Sequence, residues 1–187
     1  MAVVTDVTRR ADVEGLRDQA VSTFGHIDVW INNAGRGITR AVLELTDEDV
    51  TEILDTNVRS VLYGMQAVAP YFVARRSGHI INISSFLARV PLASFRSVYS
   101  AAKAAVNSLT TNVRMDLATS APGVHVSLVM PGIVATEFAR NARSSAGTPV
   151  GPPPGGTMRP QTADEVAEAI TRVIDRPVAE TYTNPAS

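Results

Sequence analysis

His79-Ile80-Ile81-Asn82-Ile83-Ser84-Ser85 is an apolar run of strand length closed by two small hydroxyl residues. An Ala-rich helical stretch follows, from Tyr99 to about residue 119. Pro122-Gly123 then turns the chain into Val124-His125-Val126-Ser127-Leu128-Val129-Met130, a second strand closed by Pro131-Gly132. Strand, helix and strand in that order imply a parallel pair joined by a helical crossover. The same alternation extends outward. Upstream, residues 27–31 form an apolar run interrupted only by Asp28, which leads into Asn32-Asn33-Ala34-Gly35. Before it, Val13, Leu16, Ala20, Val21 and Phe24 recur at helical spacing until Gly25 stops them, and residues 2–4 read as a first short strand ending at Thr5-Asp6. Between the second and third apolar runs, Thr46 with Asp49 three residues on resembles a capping box. The helix it opens should run through Ile53, Asn57, Met65 and Val68 and be kinked or broken at Pro70.

Downstream, residues 86–98 and most of 133–160 lack periodicity, and the second segment is dense in Gly and Pro. Thr162-Ala163-Asp164-Glu165 caps a last helix to about residue 175, and residues 178–182 can form a final strand. Strands alternating with helices define an α/β fold, a doubly wound parallel sheet with helices on both faces and right-handed crossovers. In such a sheet ligands bind beyond the carboxyl ends of the strands. Attention therefore falls on Asp6, on Asn32 to Gly35, on Ser84 and Ser85, and on Pro131 and Gly132.

Composition narrows the function. The chain has 187 residues, 45% of them apolar, which suits one domain with a sizeable core. Its 18 acidic and 17 basic side chains leave a net charge of −1, so no nucleic-acid or membrane partner is expected. There is no cysteine, which excludes disulfides, thiolate–metal sites and a cysteine nucleophile. A reducing, cytoplasmic location is the expectation. The three histidines have no ligand spacing and the acidic run Asp47-Glu48-Asp49 suits a first helical turn, so no metal site is expected.

Tyr99-Ser100-Ala101-Ala102-Lys103 carries the strongest chemical signal. A spacing of four puts phenol and ammonium on one helix face. A phenol ionises near pH ~10 and is a poor proton carrier at neutral pH, but a neighbouring ammonium favours the phenolate. The pair can then exchange a proton with a carbonyl or alcohol oxygen. A hydroxyl at the end of the preceding strand can bond the same oxygen.

Taken together, Asn32-Asn33-Ala34-Gly35, Asn57, Ser84-Ser85, Tyr99-x-x-x-Lys103 and Pro131-Gly132 with Thr136 resemble, in type and order, the short-chain dehydrogenases/reductases. The resemblance spans nearly the whole chain. It implies a Rossmann-like domain over residues 1–187, partial because the first two βα units are lacking, in which residues 137–160 form a loop over the substrate. It implies an oxidoreductase that moves a hydride between NAD or NADP and a small carbonyl/alcohol substrate, and a homodimer or homotetramer. Tyr99 would be the general acid/base. Lys103 would tune it and hold the nicotinamide ribose. Ser85 would orient the substrate carbonyl, and Asn57 would support a proton-relay water. Asp6, Asn33, Ala34 and Gly35 would line the adenosine side, and Pro131, Gly132, Ile133 and Thr136 the nicotinamide carboxamide. Ile38, Val90, Leu92, Phe95, Phe138 and Met158 suggest an apolar substrate pocket.

Two departures from the family pattern stand out. Ser85 lies 14 residues before Tyr99 where the family has 13, with Ser84 as the weaker candidate. The family's Gly-x-x-x-Gly-x-Gly turn, which holds the cofactor pyrophosphate at a helix N-terminus, has no counterpart here. Set against the family, the chain begins at the third strand, with roughly 60 residues of two βα units missing. Residues 2–4 would then be stranded from their sheet, and the strand at 27–31 would have an open edge. A non-catalytic remnant that only binds related subunits is the alternative reading.

Overall fold

The computed structural model describes residues 1–90, 93–138, 141–144 and 159–184. Helix α1 (Arg10–Phe24) ends at Gly25, whose φ of 81° suits a residue without Cβ. Strand β1 (Val29–Asn32) follows, then a two-residue strand β2 (Ile38–Thr39). Helix α2 (Asp47–Leu54) opens on a complete capping box. The Thr46 hydroxyl accepts from the Asp49 N–H, and the Asp49 carboxylate accepts from the Thr46 N–H. Five residues of π-helix, Asp55–Arg59, join α2 to α3 (Ser60–Arg75). Strand β3 (Gly78–Ile83) leads through a short 3-10 turn at Phe86–Ala88 to the long helix α4 (Ser97–Ser120). Strand β4 (Val124–Met130), the short β5 (Arg143–Ser144), helix α5 (Ala163–Asp175) and strand β6 (Glu180–Tyr182) complete the order.

The main sheet is entirely parallel in the order β1-β3-β4-β6, and β2 pairs in parallel with β5 apart from it. Alternation along β3 and β4 splits their side chains between two cores. Ile80, Val126, Leu128 and Met130 pack with Val61, Met65, Val68 and Phe72 of α3 and Val106 of α4. Ile81, Ile83 and Val129 pack on Val173, Ile170 and Ile174 of α5. Every residue of β3 is buried, as a central strand covered on both faces requires. The fold is thus the doubly wound α/β architecture expected, with helices on both faces.

Three local expectations are corrected. Residues 2–4 are not a strand: Val4 is fully exposed, because none of the described strands lies beside it to take its backbone bonds. Pro70 does not end its helix, which runs on to Arg75. Pro70 and Gln66, whose carbonyl loses its donor, both face solvent, while fully buried Val68 and Phe72 hold the segment on the sheet. The helix expected to run unbroken from Thr46 contains the π turn instead. Among the described residues β1 pairs on one side only, and Ile31 on it is 40% exposed, which is the open edge anticipated.

Candidate active site

All four long strands point the same way, so their carboxyl ends gather at one side of the sheet. There Asn33-Ala34-Gly35 leaves β1, Ser84-Ser85 leaves β3 and Pro131-Gly132-Ile133 leaves β4. Helix α4 passes beneath and presents Tyr99 and Lys103 from its first two turns. Between them lies a cavity of about 980 Å³. Its wall contains Asn33, Ala34, Gly35, Ser84, Ser85, Tyr99, Lys103, Pro131, Gly132, Ile133 and Thr136. Eleven of the thirteen residues offered from the sequence for catalysis or cofactor binding therefore meet in one place.

The remaining two do not line it. Asn57 is fully buried behind Gly35, in the π turn. Its Oδ1 accepts from the Arg36 N–H at 3.1 Å, and its Nδ2 donates to the Arg36 and Ile53 carbonyls at 2.9 and 3.0 Å. It clamps the loop after β1 to the helix. Asp6 is exposed ahead of α1, where its carboxylate accepts from the Thr8 N–H and hydroxyl at 3.0 and 2.7 Å. The expectation that Asp6 lines the site is corrected: no strand carries residues 2–4 to the sheet's carboxyl edge.

The two serines differ in what they face. The Ser84 hydroxyl is bound to α4, donating to Asn107 Oδ1 at 2.5 Å and to the Lys103 carbonyl at 3.2 Å. The Ser85 hydroxyl accepts from the Leu87 N–H and interacts with the Tyr99 phenol. Geometry thus favours Ser85 as the hydroxyl available beside Tyr99. Lys103 is only 3% exposed, and its ammonium donates to the Ile83 carbonyl at 2.9 Å. A Cβ on residue 35 would meet Asn57 Oδ1 at 2.9 Å and Lys103 Nζ at 3.5 Å, so glycine leaves room for both groups.

Electrostatics departs from the sequence reading in one respect. Burial is the main influence on Tyr99 and raises its pKa; the Ser85 hydroxyl and the Arg96 charge oppose it. Burial likewise pulls the Lys103 ammonium down to about 8. Arg96 lines the same cavity and is absent from the sequence reading; it occupies the N-cap position of α4, three residues before Tyr99. Val166 and Ile170 of α5 also line it; the apolar stripe of that helix was the available signal. Of the apolar pocket residues expected, Phe138 lines the cavity and its ring lies 5.8 Å from that of Tyr99. Ile38 is buried in the small core under α4, and Val90 and Phe95 are not in the wall. Leu92 and Met158 lie outside the described residues, as does most of the loop 137–160.

Comparison with known proteins agrees with this geometry. The short chain dehydrogenase family profile matches residues 1–147, and the chain belongs to that family. It is an oxidoreductase of the α/β, Rossmann-like class. An uncharacterized oxidoreductase of Staphylococcus saprophyticus is 38% identical over 135 residues, 72% of this chain and 54% of the relative. One from Staphylococcus epidermidis is 29% identical over 175 residues, 94% of this chain and 70% of the relative. A Burkholderia phymatum short chain dehydrogenase/reductase, solved in complex with NAD, superposes with a TM-score of 0.85 at 28% identity. It is matched over 99% of this chain and 71% of that one. A Burkholderia cenocepacia short chain dehydrogenase, solved with NADP, gives a TM-score of 0.79 at 31% identity over 99% and 71%.

Proposed function

We propose that Tyr99, Lys103 and Ser85 carry out the proton chemistry of a carbonyl/alcohol oxidoreductase at the cavity beyond β1, β3 and β4. The chain is an NAD(P)-dependent dehydrogenase/reductase by family, and its solved relatives hold NAD or NADP. The observation that carries the proposal is the convergence of the Tyr99 phenol, the Ser85 hydroxyl and the Lys103 ammonium on one wall of a cavity of about 980 Å³. That is at the upper end of the ~300–1,000 Å³ usual for ligand sites.

The residues present fit the nicotinamide end of such a cofactor. Gly35 leaves the approach to Lys103 open, and Gly132 follows β4 in the cavity wall, where the Thr136 hydroxyl, which accepts from the Phe138 N–H, can donate to an amide oxygen. When bound, the nicotinamide ring supplies or accepts the hydride. The chain does the rest. Tyr99 Oη gives its proton to the carbonyl oxygen in reduction, or takes one from the alcohol in oxidation. Ser85 Oγ bonds the same oxygen and holds it toward Tyr99. The Lys103 ammonium offsets charge left on the phenolate, acting from a buried site where the interaction is little screened. Asn57 positions the loop carrying Asn33, Ala34 and Gly35. The proposal extends to a cytoplasmic homodimer or homotetramer acting on a small molecule, in keeping with a cysteine-free sequence.

Tyr99→Phe tests the assignment. Turnover should fall by at least about 10²-fold, the usual contribution of a general acid/base, with circular dichroism and thermal midpoint unchanged. Turnover within about tenfold of the parent would refute Tyr99 as the proton carrier. Calorimetry with NADH and NADPH provides a second check, since the reading requires binding.

A further inference from the structure

Arg96 stands in the wall of the cavity between Tyr99 and Phe138, and its surroundings are unusual for an arginine. Neighbouring arginines are matched by carboxylates. Arg40 pairs with Asp49 at 2.6 Å, Arg143 with Asp49 and Glu52 at 3.0 and 2.5 Å, and Arg36 with Glu52. Arg89 pairs with Glu180 at 2.5 Å. Arg96 has no carboxylate within ion-pair distance among the described residues. Among the described residues one of its five N–H donors is engaged, by the Ile38 carbonyl at 3.2 Å, and its guanidinium carbon lies 5.8 Å from the centroid of the Phe95 ring.

The side chain is held in place all the same. The Arg40 N–H donates to the Phe95 carbonyl at 2.8 Å and pins the backbone at the start of α4. A Cβ on residue 37 would meet an Arg96 terminal nitrogen at 3.2 Å and the Phe138 ring at 3.0 Å, so Gly37 makes room for the guanidinium. Among the described residues no anion balances this half-buried cation, and one arriving from the cavity would complete the arrangement.

We propose that Arg96 is the substrate-recognising cation of this site and that the substrate is a short oxo acid or its hydroxy acid, its carboxylate held by the Arg96 guanidinium while its carbonyl oxygen meets Tyr99. Arg96 occupies the N-cap position of α4, three residues before Tyr99, and both side chains line the same cavity. Their shared place in the wall suits a carboxylate close to the reacting carbonyl, as in 2-oxo and 3-oxo acids. Leu87 and Phe138 supply an apolar wall for the remaining chain. In reduction the C=O becomes CH–OH, with one hydride reaching carbon from the reduced nicotinamide and one proton reaching oxygen from Tyr99. The substrate class rests on the proposed oxidoreductase reading; anion binding by Arg96 does not.

The test compares 2-oxobutanoate and benzoylformate with their neutral amides, using the whole chain and its Arg96→Gln and Arg96→Lys variants. Reduction with NADH and NADPH is followed as kcat/KM. The acids should be preferred by about 10- to 100-fold, as expected for a charge-assisted bidentate contact. Arg96→Gln should bring that ratio near one through the KM of the acids, and Arg96→Lys should restore part of it. The ratio cancels any effect of the substitution on Tyr99. An acid preference that is absent from the parent, or intact in Arg96→Gln, overturns the proposal. Calorimetry provides the arm independent of turnover. Acid binding that is lost in Arg96→Gln, with NADH affinity unchanged, supports the proposal even if no compound is reduced, and in that event only the hydride-transfer reading fails. Equal acid binding by parent and Arg96→Gln, or no acid binding by either, overturns it.

Discussion

Lys103 holds its charge in a place that disfavours charge. Burial draws its pKa down to about 8 from an ordinary value near 10.5. The ammonium form therefore costs the folded chain up to about 3 kcal/mol at neutral pH. Because the folded value lies below the unfolded one, this penalty is full below pH ~8 and fades as pH rises toward ~10.5. Lys103→Met should give a chain at least as stable as the parent at pH 7 by urea denaturation, yet inactive. A clear loss of stability would show that the bond to the Ile83 carbonyl outweighs desolvation. Functional residues kept at the expense of stability are a recurrent pattern. The Tyr99–Lys103 pair was legible in the sequence because helical periodicity alone places both on one face. Arg96, at the N-cap of α4, was not legible, since an arginine is by default a solvated surface residue. Only the packing around Gly37 shows that this one turns inward.

Between elements, the tightest fit is that of α3 on β1. A Cβ on Gly64 would fall 2.0 Å from Asn32 Oδ1, the atom that accepts from Trp30 Nε1 at 2.9 Å. The same side chain donates to Asn82 Oδ1 at 2.8 Å, and Asn82 donates to Thr110 Oγ1 at 2.9 Å. This polar chain ties β1 and β3 to α4. Alanine in place of a helical glycine normally stabilises by up to about 1 kcal/mol. Overpacking costs about 1–3 kcal/mol, and at 2.0 Å it should prevail. Gly64→Ala is expected to lower the denaturation midpoint, and a raised midpoint would contradict the packing described. Element ends with caps were readable: Thr46 with Asp49 and Thr162 with Glu165 open α2 and α5 as expected. The π turn was not, because a shift from i+4 to i+5 bonding leaves no residue signature. The two-residue pairing of β2 with β5 was not either; it arises from tertiary contact rather than local pattern.

At the scale of the whole molecule, stability should depend on pH through His79, which lies across β3 and β4. Its Nε2 meets Ser127 Oγ at 2.8 Å, and its ring lies edge-on to His125, with centroids 5.9 Å apart. Burial first, and His125 second, lower its pKa to about 4 from an ordinary 6.5. The unfolded chain therefore takes up a proton that the folded chain refuses. Stability from this source should be constant above pH ~6.5, decline between ~6.5 and ~4, and level off below. Guanidinium denaturation at pH 7.5 and 5 should show the decline in the parent and a reduced decline in His79→Gln; an equal decline in both would exonerate His79. The doubly wound sheet itself was legible, since alternating strand and helix signals leave few topologies. The fate of residues 2–4 depended on which neighbours a strand has, which no local pattern specifies.

The all-parallel sheet also makes the molecule directional. Tyr99, Ser85 and the Gly35 and Gly132 loops lie at the strands' carboxyl ends, whereas Ser77 lies exposed at the amino end of β3. Six residues of strand separate the two ends, roughly 20 Å. The chain has no cysteine. A Ser77→Cys variant would thus provide a unique chemical handle for tethering the protein to a surface with every molecule's active site facing the solution.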